Sequence, residues 1–142
     1  MTQAKAVLEH ANLTVRDPKA TADMLVQLFG WRIRWEGPSL LGGYTVHVGN
    51  DDDYLAVYAP TEPREPAKGG LYQLGALNHI GIVVDDLDAA EERVKALGFE
   101  PHNHGDYEPG RRFYFHDHDG VEFEVVSYRD SFRSVAGNPN AP

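Results

Sequence analysis

The sequence has 142 residues, which is enough for one compact domain or for two very small ones. Its composition, 42% hydrophobic and 25% charged, is ordinary for a globular protein and excludes disordered and fibrous classes. The 22 acidic residues outnumber the 13 basic ones, giving a net charge of -9, so the basic surface that a nucleic-acid partner requires is not expected.

Cysteine is absent, which excludes disulfides, thiolate metal sites and cysteine nucleophiles. No apolar run approaches the roughly 20 residues that span a bilayer. The first residues also lack the pattern of a signal peptide. We therefore expect no membrane partner and a cytoplasmic location.

The chain contains an internal repeat. Residues 8–15 (LEHANLTV) recur as residues 77–84 (LNHIGIVV), and in each copy a histidine begins an alternation of apolar residues that is typical of a β-strand. An acidic turn and an amphipathic helix follow in each copy, at about residues 19–29 and 87–97. Each helix ends before a glycine, the usual left-handed cap.

Patterns of period two then predict three further strands in each copy. They fall at residues 31–36, 43–48 and 54–59, and at residues 99–103, 111–116 and 121–128. Each half is therefore β-α-β-β-β.

The repeat divides the chain into two modules. The predicted organisation is a first module at 1–60, a proline- and glycine-rich linker at 61–74, a second module at 75–128 and a tail at 129–142. The fold class is α+β, with curved mixed sheets that form a concave cup and helices on its outer face. A half this small buries little apolar surface, so the two halves should pair. They can pair within one chain or between two chains, and we expect a homodimer.

Strand alternation places two histidines and one carboxylate on the concave face. The apolar residues of the first strand in each copy require the core side, which turns His10 and His79 towards the cup. In the last strand Phe123 and Val125 take the core, so Glu124 also faces the cup. Two histidines and a carboxylate suit a divalent metal such as Fe(II), Mn, Zn or Ni and leave positions open for substrate.

Other polar residues share the predicted concave face. We expect the candidates for proton transfer to be Tyr114, Glu122 and His116, and the candidates for substrate contact to be Asn12, Tyr54, Tyr58 and Arg112. Packing of the tyrosines and solvent exposure of the arginine are the alternatives. The pattern leaves the facing of His47 open and predicts a surface loop at His102 to His104.

This pattern of residues resembles that of proteins in the vicinal oxygen chelate superfamily. The resemblance rests on the histidine-led repeat and on residues 117–124 (DHDGVEFE). That superfamily includes glyoxalase I, methylmalonyl-CoA epimerase, extradiol dioxygenases, fosfomycin-resistance enzymes and bleomycin-binding proteins. It implies that His10, His79 and Glu124 are metal ligands and that a small substrate chelates the metal through vicinal oxygens.

Departures from the family pattern reduce the number of reactions that the resemblance implies. Ala56 stands where glyoxalase I and the epimerase place a fourth ligand, which disfavours both. Fosfomycin-modifying transferases match at Tyr114 and Arg133, but Asn12 stands where they have threonine. Extradiol dioxygenases, with three ligands and a tyrosine at the position of Tyr114, are the closest analogy. A lyase or isomerase of glyoxalase type, and a metal-free drug-binding protein of the bleomycin-resistance type, are the alternatives.

Overall fold

The structure is a computed structural model that describes residues 5–66, 70–107 and 110–128. The chain divides into two compact units at Glu65 and Pro66. In chain order the elements of the first unit are β1 (His10–Thr14), α1 (Pro18–Phe29), β2 (Arg32–Pro38), β3 (Tyr44–Gly49) and β4 (Tyr54–Ala59). A 3-10 turn (Gly70–Tyr72) precedes β5 (Ile80–Val83), α2 (Leu87–Ala96), β6 (His102–Tyr107), β7 (Gly110–His116) and β8 (Glu122–Tyr128).

Each unit contains a mixed four-stranded sheet of the same topology. The strand order is β1-β4-β3-β2 in the first unit and β5-β8-β7-β6 in the second. The outer pairs β1–β4 and β5–β8 are parallel, and the other pairs are antiparallel. The predicted α+β class with two βαβββ modules is therefore confirmed, whereas the cup between the modules stays a prediction.

The helices begin and end where side-chain caps and glycine allow. Asp17 accepts a hydrogen bond from the backbone N–H of Ala20 at 3.1 Å and starts α1, and Asp86 starts α2 in the same way. Gly30, with φ of 70°, ends α1 in the left-handed conformation that glycine adopts without a steric penalty. Both helices are within one residue of their predicted bounds.

One predicted strand is wrong. The strand expected at residues 99–103 lies at His102–Tyr107, so the surface loop expected at His102 to His104 is part of β6. The apolar residue Phe99 lies before the strand begins. Its ring packs against that of Phe115, with the centroids 5.6 Å apart, which explains why an apolar residue stands there. The remaining strands start and end within two residues of the expectation.

The predicted tail at 129–142, including Arg133, lies outside the described residues. Among the residues that are described, no helix is long and apolar enough to cross a membrane.

Candidate functional site

The sheet of the second unit has one apolar face and one polar face. Alternate side chains of β7 and β8 are fully buried on the side of α2, namely Phe113, Phe115, Phe123 and Val125. The opposite face carries Arg112, Tyr114, His116, Glu122 and Glu124. The five polar residues expected to share one face in this unit therefore do so.

His79 and Glu124 meet on this polar face. His79 directly precedes β5, and its Nε2 lies 3.2 Å from Oε1 of Glu124. Gly81 pairs with Glu124 in the sheet, and even a Cβ built on it would lie 3.8 Å from Oε1, so the carboxylate is not crowded there. The Nδ1 atom of His79 is 2.8 Å from Oδ1 of Asn78. This contact orients the ring and presents Nε2 towards the carboxylate, as in many metal-binding histidines.

Arg112 holds the other oxygen of Glu124. Its Nη1 donates to Oε2 at 2.8 Å, and both side chains are only 13% exposed. The guanidinium also lies over the ring of Tyr107, 4.6 Å from the centroid. Glu124 is therefore fixed by an arginine on one oxygen while its second oxygen faces His79, so Arg112 positions the carboxylate.

Tyr114 lies beside this pair. Its ring meets that of His79 edge-on, with the centroids 5.8 Å apart. Burial, followed by the negative charge of Glu124, raises the pKa of the Tyr114 phenol above its ordinary value. The hydroxyl is protonated at neutral pH and is a hydrogen-bond donor, here to the carboxylate of Glu124.

His10 occupies the corresponding position in the first unit. It begins β1, and its Nδ1 lies 2.8 Å from Oε1 of Glu9, as that of His79 contacts Asn78. In both units the residue before the histidine thus engages Nδ1 and leaves Nε2 as the nitrogen for a metal. The structure places His79 and Glu124 together within one unit, and the convergence of His10 with them stays a prediction.

His10 starts a column of aromatic rings. It stacks on Tyr54 with centroids 4.9 Å apart, and Tyr54 stacks on His47 at 4.6 Å. Trp35, half exposed, follows His47 at 5.1 Å, and the guanidinium of Arg34 lies 4.4 Å from the Tyr54 centroid. These ring contacts fix the side chain of His10, a candidate metal ligand.

His47 is the residue that sequence reasoning missed. It pairs with Ala56 across β3 and β4, just as Tyr114 pairs with Glu124 in the second unit. Burial, and then the nearby positive charges of His10 and Arg34, lowers the pKa of His47 below its usual value. Val46 and Val48 on either side of it are fully buried, and this alternation is the signal that could have fixed its facing.

The two remaining substrate candidates lie on β1 and β4. Asn12 is exposed and pairs with Ala56. The hydroxyl of Tyr58, which is half-buried, donates to the carbonyl of Gly42 at 3.4 Å. Tyr58 therefore already has a backbone partner, whereas Asn12 is accessible.

The other two proton-transfer candidates lie at a different point of the polar face. His116 Nε2 is 3.3 Å from Oε2 of Glu122, and His116 Nδ1 is 3.1 Å from Nε2 of His102. His104, in contrast, contacts Glu91 of α2 at 2.9 Å. His116 and Glu122 are thus partners of each other and of His102.

Comparisons with known proteins agree with this architecture. Residues 7–125 match the family model described as Glyoxalase/Bleomycin resistance protein/Dioxygenase superfamily. No curated protein gives a significant match.

Solved structures of the same fold include three informative cases. A glyoxylase/bleomycin resistance protein/dioxygenase domain from Frankia sp. EAN1pec has a TM-score of 0.73 at 18% identity, covering 89% of this chain and 100% of that chain. The fosfomycin resistance protein FosX from Listeria monocytogenes has a TM-score of 0.68 at 20% identity, covering 92% and 99%. FosX from Mesorhizobium loti has a TM-score of 0.66 at 24% identity, covering 93% and 99%. At these identities the likeness shows the fold.

The Listeria FosX structures include bound ligands. One is a complex with Mn(II) and a sulfate ion. A mutant of that protein is complexed with Mn(II) and 1S,2S-dihydroxypropylphosphonic acid.

Proposed function

Because the chain belongs to the Glyoxalase/Bleomycin resistance protein/Dioxygenase superfamily, we propose that it is a divalent-metal-dependent enzyme. Its substrate is a small molecule that chelates the metal through two adjacent oxygens. The proposed ligands are His10, His79 and Glu124, and a homodimer is the proposed assembly.

The contact between His79 and Glu124 carries this proposal. Ligand atoms about 2.0–2.2 Å from a metal lie about 3 Å from each other in the usual geometries. The 3.2 Å separation of Nε2 and Oε1 therefore fits a shared ion without rearrangement of the sheet. The matching contacts of Nδ1 in His10 and His79 add the outer hydrogen bonds that metal-binding histidines use.

A bound divalent ion would act as a Lewis acid that stabilises negative charge developing on the chelating oxygens. The chain's own residues prepare that chemistry. Arg112 holds Glu124 in one orientation. Tyr114, a protonated phenol beside Glu124, donates a hydrogen bond to a substrate oxygen.

The proposed substrate contacts come from the first unit. Asn12 offers an accessible amide. Tyr54 contributes by supporting His10, because His10, His47 and Arg34 already pack on its ring. Tyr58 contributes through packing, because its hydroxyl is bonded to the backbone. Ala56 supplies no carboxylate, so we assign proton donation to Tyr114 rather than to a fourth ligand.

Two reaction classes remain within this proposal. The extradiol dioxygenase analogy rests on three ligands with Tyr114 beside them. Addition of water to an epoxide is supported by the similar fold of FosX and by the Mn(II) and dihydroxypropylphosphonic acid in one of its structures. Assays of Fe(II)-loaded protein with catechols under oxygen, and of Mn(II)-loaded protein with fosfomycin, would distinguish the two.

Metal content tests the proposal directly. Untagged protein, reconstituted and desalted, should retain metal that His79→Ala and Glu124→Gln both lose. His104→Ala is the matched control, because His104 is bound to Glu91 on the opposite face of the same sheet. If His79→Ala retains as much metal as the wild type, the proposed ligand set is wrong.

The aromatic column of the first unit favours one competing function. Trp35, His47 and Tyr54 would suit a planar ligand in a metal-free binding protein. That function predicts no retained metal after metal-replete preparation, together with quenching of tryptophan fluorescence by planar drugs that Tyr54→Ala abolishes. Light scattering of the same samples tests the homodimer.

A further inference from the structure

A group of three side chains of the types that bind metals lies on the polar face of the second unit. His102, His116 and Glu122 each offer one atom, and these atoms all lie within 4.8 Å of one another. The separations are 3.1 Å between His102 Nε2 and His116 Nδ1, 3.3 Å between His116 Nε2 and Glu122 Oε2, and 3.9 Å between His102 Nε2 and Glu122 Oε2. None of these residues belongs to the ligand set proposed above.

The fold brings these three residues together through an irregular strand. His116 and Glu122 are directly paired across β7 and β8. His102 pairs with Tyr114, but the register then shifts before Gly105, and Asn103 between them has φ of 51°. One extra residue in β6 is a β-bulge, which re-aims the side chains on either side of it.

The bulge separates two histidines that regular alternation would place together. His104 follows the bulge and contacts Glu91 of α2 on the apolar side. His102 precedes it and faces His116 and Glu122. A left-handed conformation is unfavourable for residues other than glycine, but asparagine tolerates it better than most. Asn103 therefore allows the bulge that leaves His102 on the side of the cluster.

A small movement of the side chains would let the cluster hold a transition metal. Tetrahedral ligands with bonds of about 2.0–2.1 Å lie about 3.3–3.4 Å apart. The ligand atoms of the cluster, one from each residue, lie within 4.8 Å of one another, so they must close in by about 1 Å to share an ion. The rings of His102 and His116 are nearly parallel, at 14°, so one ring must turn to aim its lone pair at the ion. His116 is 48% exposed and has room to do so. That exposure also leaves an entry route and a fourth position open to water.

We propose that His102, His116 and Glu122 form a second transition-metal site. Two imidazoles and one carboxylate favour Zn²⁺, Ni²⁺ or Co²⁺ over Mg²⁺ and Ca²⁺, which prefer oxygen ligands. The site shares β8 with Glu124, which lies two residues beyond Glu122 on the same face. It gives His116 and Glu122 a role as ligands and does not depend on the function proposed above.

Binding of Zn²⁺ alone to the full, chelator-treated chain tests this site. Titration calorimetry should show that His116→Ala and His102→Gln each lose one equivalent relative to the wild type. His104→Ala should lose none, because it removes a neighbouring histidine outside the cluster. His79→Ala should keep the equivalent of Zn²⁺ that binds to this cluster. The titration therefore tests the proposed enzyme site and the proposed second site independently.

Nuclear magnetic resonance of the wild-type histidine side chains gives a readout that needs no variant to fold. Zn²⁺ should shift the ring signals of His102 and His116 and leave those of His104 unchanged. If the signals of His102 and His116 do not respond, or if both variants bind as many equivalents as the wild type, the cluster is a hydrogen-bonded group without a metal and the proposal is overturned.

Discussion

The buried ion pair between Arg112 and Glu124 gives a quantitative prediction about stability. Arg112→Met would leave Glu124, only 13% exposed, without its 2.8 Å partner. Removing one member of a buried pair costs about 3–5 kcal/mol, because the remaining charge is desolvated and unpaired. Some solvent reaches both side chains, and Oε1 of Glu124 keeps its contact with His79 at 3.2 Å, so we expect the unfolding free energy to fall by about 3 kcal/mol, the lower end of that range.

Glu124→Gln in the same background should restore much of this loss, since the double variant no longer buries a carboxylate that has lost its arginine. The coupling energy of the Arg112–Glu124 cycle should then be about 2 kcal/mol. Equilibrium unfolding in urea, with chelator-treated protein, measures the four free energies.

The neighbouring pair between Arg111 and Asp88 is a matched control. Its atoms are also 2.8 Å apart, but its side chains are 51% and 76% exposed. Exposed pairs contribute less than about 1 kcal/mol, because water and salt screen the charges. Equal coupling energies in the two cycles would show that burial does not set the strength of these contacts, which would refute the reasoning.

Three further predictions concern caps and turns. Asp17→Ala and Asp86→Ala should each lower the unfolding free energy by about 1 kcal/mol, measured by urea unfolding, because each removes a helix cap. Asp117→Ala should cost about 1–3 kcal/mol in the same assay, since its Oδ1 accepts two backbone N–H bonds. Asp117→Asn keeps an oxygen that can accept these bonds. Burial raises the pKa of Asp117, which means that the folded state disfavours its charge. The neutral Asp117→Asn variant should therefore be at least as stable as the wild type at pH 7. Gly49→Ala should lower the melting temperature, because a Cβ would lie 2.4 Å from the carbonyl of Asp53.

The repeat and the strand alternation predicted the elements that local chemistry determines. An acidic cap, an apolar stripe and a closing glycine appear in the sequence around each helix, so both helices were predicted within one residue. In β7 and β8 the alternation of phenylalanine with polar residues predicted correctly that Tyr114 and Glu124 share a face. These features depend on residues close together in the chain.

Features that depend on pairing between strands were not predictable in this way. The bulge at Asn103 shifts the register of β6 against β7, so the contrast between His102 and His104 is absent from the residue pattern. His47 likewise gains its place beside Ala56 from the register of β3 and β4. A shift by one residue reverses the facing of every side chain that follows, which composition and periodicity cannot reveal.

The parallel pairing of β5 with β8 has a consequence for the order of folding. Ile80 and Phe123, which are partners in that pair, are separated by about 40 residues of chain. Contacts across such a span form late, because closing the loop costs entropy before any pairing repays it. We therefore expect the contact between His79 and Glu124 to form after the local helix of its unit. A chain still emerging from the ribosome without β8 has no such contact to offer an ion.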